Sequence, residues 1–319
     1  MSIRAWLVRK KIRKTFRPKA LKNAPIEERL KSILAGFRGS EALLPQPPKH
    51  IKAVPVSANF DGMPFKGEWV VDPSAHNNRI IFYTHGGAYV WGRPKEYRYL
   101  AWQLSRQCKA RVFLLDYTLA PKAKCPTQIN EGLAAYDYIR TNNPEAAIAM
   151  AGDSAGGSLT VAMAVTIRDS NRSTPVALSL IAPGVDLTGS GDSVRKNADK
   201  DVMLDPEAIN FVIKDYIGDL PADDPRCSPL FASHENLPPM MAQVGSDEIL
   251  LDDSVRLEQS VTASGGAFTL KIWQKMHHVW HMSANMVPEA RAAIKEMATF
   301  MEDHWDIGVE ENVKKGVAK

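Results

Sequence analysis

Residues 149–158 read Ala149-Met150-Ala151-Gly152-Asp153-Ser154-Ala155-Gly156-Gly157-Ser158, and this stretch decides the fold. The apolar run 147–151 in front of the serine has the length of a buried strand, and 158–169 behind it has the pattern of a helix. Gly-x-Ser-x-Gly therefore falls on a strand-to-helix turn. A serine on so sharp a turn takes strained backbone angles, and Gly152 and Gly156 leave room for it. Its hydroxyl then stands at a helix N-terminus, where the dipole favours developing negative charge. The bland alternative is a glycine-rich turn with an incidental serine. The strand before and the helix after are the context that nucleophile chemistry requires.

Working outward, short apolar runs recur at 54–60, 68–72, 79–84, 111–117, 176–182, 240–245 and 268–273. Helical patterns at 97–107, 128–141, 252–263 and 288–303 separate most of the later ones. This alternation predicts an α/β fold with a mostly parallel eight-stranded sheet flanked by helices, beginning with an antiparallel pair. Two regions break the alternation. Residues 1–45 are helical in pattern, with Ile26, Leu30, Ile33, Leu34 and Phe37 on one face. Residues 184–238 are polar and rich in Asp and Pro, with one helical stretch at 206–217, as expected of a lid. The expectation is one domain over 1–319, with a helical cap from 1–45 and 184–238 and a core from 46–183 and 239–305.

Of the 319 residues 45% are hydrophobic and 24% charged, which excludes a disordered or low-complexity chain. No apolar run reaches the roughly 18 residues of a transmembrane helix. The net charge of +4 hides an asymmetry, because nine Lys and Arg precede Lys22 or include it, and the first acid is Glu27. The rest of the chain is mildly acidic, so nucleic acid is not an expected partner. The basic first segment suits either a solvated helix covering the core or contact with an anionic membrane surface, and a homodimer stays open. Cys108, Cys125 and Cys227 are too few and scattered for a disulfide framework or thiolate metal site. With no secretory signal pattern at the start, the expected location is cytoplasmic.

A second motif, His85-Gly86-Gly87-Ala88, follows the run 79–84. Successive glycines after a strand let backbone N–H groups converge, as an acyl-transfer enzyme needs for its oxyanion. Ala155, after the serine, would supply another donor. A general base should be a histidine. His277 and His278 lie just past the last predicted strand, and His281 follows them. His50, His76, His234 and His304 lack neighbouring signals and read as surface residues. Strand 240–245 runs into Ser246-Asp247-Glu248, which offers two carboxylates to orient the base. The order serine, acid, histidine is that of α/β-hydrolases.

On these motifs the sequence resembles the hormone-sensitive-lipase-like (bacterial family IV) carboxylesterases of the α/β-hydrolase superfamily, over roughly residues 50–305. Also carrying the resemblance are Asp224-Pro225-Arg226-Cys227-Ser228-Pro229-Leu230, the segment from Leu237-Pro238-Pro239 to Asp252-Asp253, and Met276 ahead of His278. The resemblance implies Ser154 as nucleophile, His278 as base and Gly86, Gly87, Ala88 and Ala155 around an oxyanion hole, with no cofactor and no metal. It implies hydrolysis of short- to medium-chain acyl esters. Two departures stand out. Ala88 replaces a usual third glycine, and the usual acid, an Asp, aligns without gaps on Glu248. Glu248 is the expected acid and Asp247 the alternative, expected instead to cap the next helix. An amidase, a lactonase, a longer-chain lipase or a non-catalytic ligand binder on the same frame are the competing readings.

Overall fold

In the computed structural model, Asp61 and Gly62 both take positive φ (51° and 82°) and turn the chain back at once. Phe60 therefore pairs with Met63, and β1 (Ala53–Phe60) and β2 (Met63–Val70) form an antiparallel hairpin. The second strand thus starts earlier than its apolar run, 68–72, suggested: hairpin pairing, not apolarity, sets its beginning. The structure describes residues 1–41 and 44–316. Residues 42–43 of the expected cap segment and 317–319 of the expected domain lie outside the described residues.

Six further strands follow: β3 (His76–Thr84), β4 (Ala110–Leu115), β5 (Ala147–Asp153), β6 (Leu178–Ile181), β7 (Met240–Gly245) and β8 (Phe268–Trp273). The sheet order is β1-β2-β4-β3-β5-β6-β7-β8. β2 meets β4 antiparallel, and from β4 to β8 every pairing is parallel. The helices are α1 (Ile3–Phe16), α2 (Ile26–Glu41), α3 (Pro94–Cys108), α4 (Thr127–Asn142), α5 (Ala155–Asp169), α6 (Asp192–Lys196), α7 (Pro206–Ile217), α8 (Leu251–Ala263) and α9 (Pro288–Gly316). The last runs past the expected end at 303.

Alternating side chains build two cores, one on each face of the sheet. Ile80, Phe82, Phe113, Ile148 and Met150 pack with α4, α5 and α8. Ile81, Tyr83, Val112, Ala147, Ala149 and Ala151 pack with α3 and α9. Parallel strands buried on both faces place their C-terminal ends along one rim, and that rim carries Ser154, Glu248 and the His85 loop.

α1 and α2 lie over this rim. α1 buries only Ala5 and Phe16. Phe37 of α2 stacks on Trp91 (4.4 Å) and meets Phe16 edge-on (4.9 Å). Arginines on the inward side of α1 add polar fastenings to this packing. Arg9 donates to the carbonyls of Lys275 (2.8 Å) and Lys200 (2.9 Å), and Arg17 to those of Asp201 and Leu204 (both 3.1 Å). Arg29 of α2 pairs with Asp205 at 2.8 Å, at the start of α7. Among the described residues no helix is long and apolar enough to cross a membrane.

Candidate active site

Ser154 sits where β5 ends and α5 begins, with φ 54° and ψ −124°, backbone angles rare for a residue with a side chain. Three backbone bonds hold it there: its N–H donates to Ile181 O (2.8 Å), and its carbonyl accepts from Gly184 N and Ser158 N (both 3.1 Å). The turn needs Gly156. A Cβ there would lie 2.1 Å from Thr84 O. Residues 147–153 and 155–164 are all buried, and Ser154 alone in this stretch keeps partial exposure.

The loop after β3 approaches the same point. Gly87 has φ 121°, and a Cβ on it would fall 2.0 Å from Trp91 O. Ala88 takes φ 51°, in the left-handed region that only glycine occupies without strain. The N–H groups of Gly87, Ala88 and Ala155 have no hydrogen-bond partner among the described residues. Gly86 differs, because its N–H donates to Asp153 Oδ1 (3.0 Å). Gly86 therefore shapes the loop instead of offering a donor.

Asp153 is a residue whose role the sequence did not disclose. Fully buried, it accepts from Tyr83 Oη (2.8 Å), Tyr97 Oη (3.2 Å) and Gly86 N, and so ties the serine turn to the glycine loop. Burial pushes its carboxyl up to about 6 against these bonds. The signal was its position beside the serine, which composition alone could not interpret. His85 is similarly internal. Its ring stacks on Tyr117 (4.3 Å), Nδ1 donates to Gly86 O (2.8 Å), and burial lowers its pKa to about 4.

At the end of β7 the two adjacent carboxylates part. Glu248 is 0% exposed; Oε1 accepts from Gly245 N and Oε2 meets His278 Nδ1, both at 2.6 Å. Asn197 Nδ2 donates to Glu248 O (2.9 Å) and Asp201 accepts from Ile249 N (3.0 Å), bracing the turn. Asp247 turns the other way and pairs with Arg9 at 2.6 Å. It does not cap α8, whose N-cap, Leu250, has no side-chain bond. The expectation failed because Arg9 takes Asp247 as a charged partner, while Asp252 N in the first turn of α8 already donates to Ser193 Oγ (3.0 Å).

Burial opposes charging His278, but the charge and hydrogen bond of Glu248, with Asp201 and Asp153 nearby, outweigh it and hold the imidazole above its ordinary pKa. Glu248 is pushed up by burial, which its bonds to His278 and Gly245 only partly offset. His278 Nε2 and Ser154 Oγ carry no hydrogen bond among the described residues, and both line one chamber. Contacts between such groups commonly tighten only with substrate bound.

The other histidines separate from this pair. His277 lines the chamber but does not bond Glu248; burial, Arg9 and His278 lower it to about 3. His281, expected as a lining alternative, instead bonds Gln243 Oε1 (2.7 Å) and packs on Trp280, so it serves the sheet. His234, expected at the surface, is 1% exposed. It is fixed by Ser260 Oγ (2.8 Å) and Pro229 O (2.9 Å), a tertiary arrangement with no local signal.

Two cavities flank Ser154. The larger, about 460 Å³, is lined by α1, α2 and α7 above and by Gly87, Ala88, Trp91, His278 and Val279 below. The smaller, about 60 Å³, is lined by Ala155, Tyr89, Ile213, Ile249 and Leu250 among others, and not by His278.

A sequence profile of the family described as alpha/beta hydrolase fold matches residues 81–282. An acetyl-hydrolase of Streptomyces hygroscopicus is 33% identical over 235 residues, 73% of this chain and 78% of that protein. An esterase of Acinetobacter venetianus is 33% identical over 232 residues, covering 72% and 77%. Among solved structures, the esterase EstE5 soaked with p-nitrophenyl butyrate superposes with a TM-score of 0.85 at 33% identity, covering 96% of this chain and 100% of that one. An esterase from the bacterial hormone-sensitive lipase family gives 0.83 at 29%, covering 95% and 99%. The fold and these matches define an α/β-hydrolase. Within that superfamily the chain belongs to the hormone-sensitive-lipase-like esterases.

Proposed function

We propose that Ser154 is the nucleophile, His278 its base and Glu248 the acid that orients His278. The chain is a carboxylic ester hydrolase. The observation that carries the assignment is the buried 2.6 Å contact between Glu248 Oε2 and His278 Nδ1, on a histidine that opens onto the same chamber as Ser154. With Nδ1–H donated to Glu248, Nε2 is the basic nitrogen and takes the serine proton. Ser154 Oγ attacks the ester carbonyl, and the developing oxyanion accepts from the N–H groups of Gly87, Ala88 and Ala155. His278 then passes the proton to the leaving alcohol. Water attacks the acyl-enzyme with His278 again as base. Asp153 acts by positioning the Gly86 loop.

Helices α1, α2 and α7 form the cap over this site. The leaving oxygen must lie beside His278, so the alcohol portion extends into the larger chamber and the acyl chain into the smaller cavity. That arrangement supports short- to medium-chain acyl esters, with the shortest preferred. The acetyl-hydrolase name of one relative and the p-nitrophenyl butyrate soak of a structural neighbour agree with this size.

An organophosphate that inactivates the enzyme should add its mass to the peptide carrying Ser154, and p-nitrophenyl esters from acetate to butyrate should be hydrolysed faster than palmitate or an anilide. Labelling at Ser158 or Ser246 would overturn the nucleophile. A maximum at palmitate would favour the lipase reading, and a maximum at the anilide the amidase reading.

A further inference from the structure

The outward face of α1 has a composition that the cap role does not explain. Ile3 is 79% exposed, Leu7 53% and Trp6 49%. Arg4, Lys10, Lys11 and Lys14 are exposed on the same helix, and none forms an ion pair among the described residues. The Lys10 ammonium rests 5.3 Å over the Trp6 ring. The inward cations, Arg9, Arg13 and Arg17, are by contrast occupied by carbonyls of residues 198–204 and 275. No acidic residue precedes Glu27, although the chain beyond Lys22 is net acidic. A face that joins exposed Trp, Leu and Ile to unpaired Lys and Arg fits the boundary between water and an anionic bilayer. Apolar residues enter the headgroup region there, and cations meet lipid phosphates.

The position of this face adds a functional reason. The larger chamber is lined in part by Lys11 and by Met286, and Met286 is itself 49% exposed. The chamber therefore opens beside the outward face of α1. We propose that this face docks the protein peripherally on anionic phospholipid membranes, bringing the chamber opening toward the bilayer. No spanning segment is involved. The cap stays in place because the inward arginines hold it independently of the outward cations. A second copy of the chain is the less favoured occupant, since a self-complementary contact would set like charges against each other.

The test is co-flotation of the full chain with vesicles. Binding to an equimolar phosphatidylglycerol–phosphatidylcholine mixture at low ionic strength is expected, with little binding to pure phosphatidylcholine. Raising the salt about ten-fold should release the protein, because it shortens the screening length. Arg4→Glu/Lys10→Glu/Lys14→Glu should reduce partitioning by roughly 100-fold or more, at about five-fold for each cation lost. Trp6→Ser/Leu7→Ser should reduce it at least ten-fold. Both variants should hydrolyse a soluble short-chain ester at the parental rate, which shows that the fold is intact. Absence of binding to anionic vesicles at low salt would overturn the proposal, as would binding that both variants retain. A dimer in light scattering that these substitutions dissociate would also overturn it, by assigning the face to a second copy.

Discussion

The serine turn and the helix α1 that lies over its rim are built on opposite principles. From Ala147 to Ala164 the chain is buried except at Ser154, and the turn is closed by backbone approaches that no added methyl group could enter. α1, by comparison, buries two residues and is fastened by arginine side chains reaching carbonyls of the segment 198–204. One region leaves the reacting atoms no room to shift, because a Cβ on Gly156 or Gly152 would meet backbone oxygens at 2.1 and 2.5 Å. The other is held at points and can change composition between them. Chemistry is therefore expected to be intolerant of substitution, while substrate choice can be retuned from the α1 residues that line the chamber.

The largest loss is expected at the serine. Ser154→Ala should lower kcat by roughly 10⁴-fold or more with an unchanged melting temperature, read by steady-state kinetics beside thermal denaturation. Gly156→Ala should be nearly as damaging by another route. Its Cβ would meet Thr84 O at 2.1 Å and His85 O at 2.4 Å, so the turn must move. A loss of about 3 kcal/mol of stability or more is expected in denaturant unfolding, with activity lost even in the folded fraction. A stable, active Gly156→Ala would mean that the turn is less constrained than its geometry requires.

α1 should respond more mildly. Arg9→Ala removes the Asp247 pair and two carbonyl contacts at a half-buried position. It should cost about 1–2 kcal/mol in denaturant unfolding and change kcat only a few-fold. The smallest effect is expected at Ala88, where φ 51° strains a side-chain-bearing residue. Ala88→Gly should raise stability by about 1 kcal/mol and leave kcat within about three-fold. A large fall in kcat there would show that the alanine methyl itself positions the oxyanion loop.

What could be read from the sequence divides along the same line. The β5–α5 turn and the alternation of strands and helices follow from local periodicity and from glycines whose spacing has one mechanical use. The parallel sheet was legible because its strands are continuous apolar runs. The partners of Asp247 and His234 were not legible. Asp247 meets Arg9 and His234 meets Ser260 across long sequence separations, and nothing near either residue announces its partner. The start of β2 was missed because Met63–Gly67 includes Pro64 and Lys66, which look poor for a strand until the Asp61-Gly62 turn forces them into register. The bonding of Asp153 is a similar case, visible only once Tyr83, Tyr97 and Gly86 converge on it.

Whether Glu248 or its neighbour orients His278 is decided by the pH dependence of kcat/KM for Glu248→Gln and Asp247→Asn, measured side by side. Because Glu248 holds His278 above its ordinary pKa, and the base must be neutral to work, the acid limb of the parent should lie above about 6.5. Glu248→Gln should lower kcat by roughly 10³–10⁴-fold and move the limb of the residual activity to lower pH, since burial then acts on His278 without its counter-charge. Asp247→Asn should keep most of the parental kcat and the parental limb. An inactive Asp247→Asn beside an active Glu248→Gln with an unmoved limb would contradict the account.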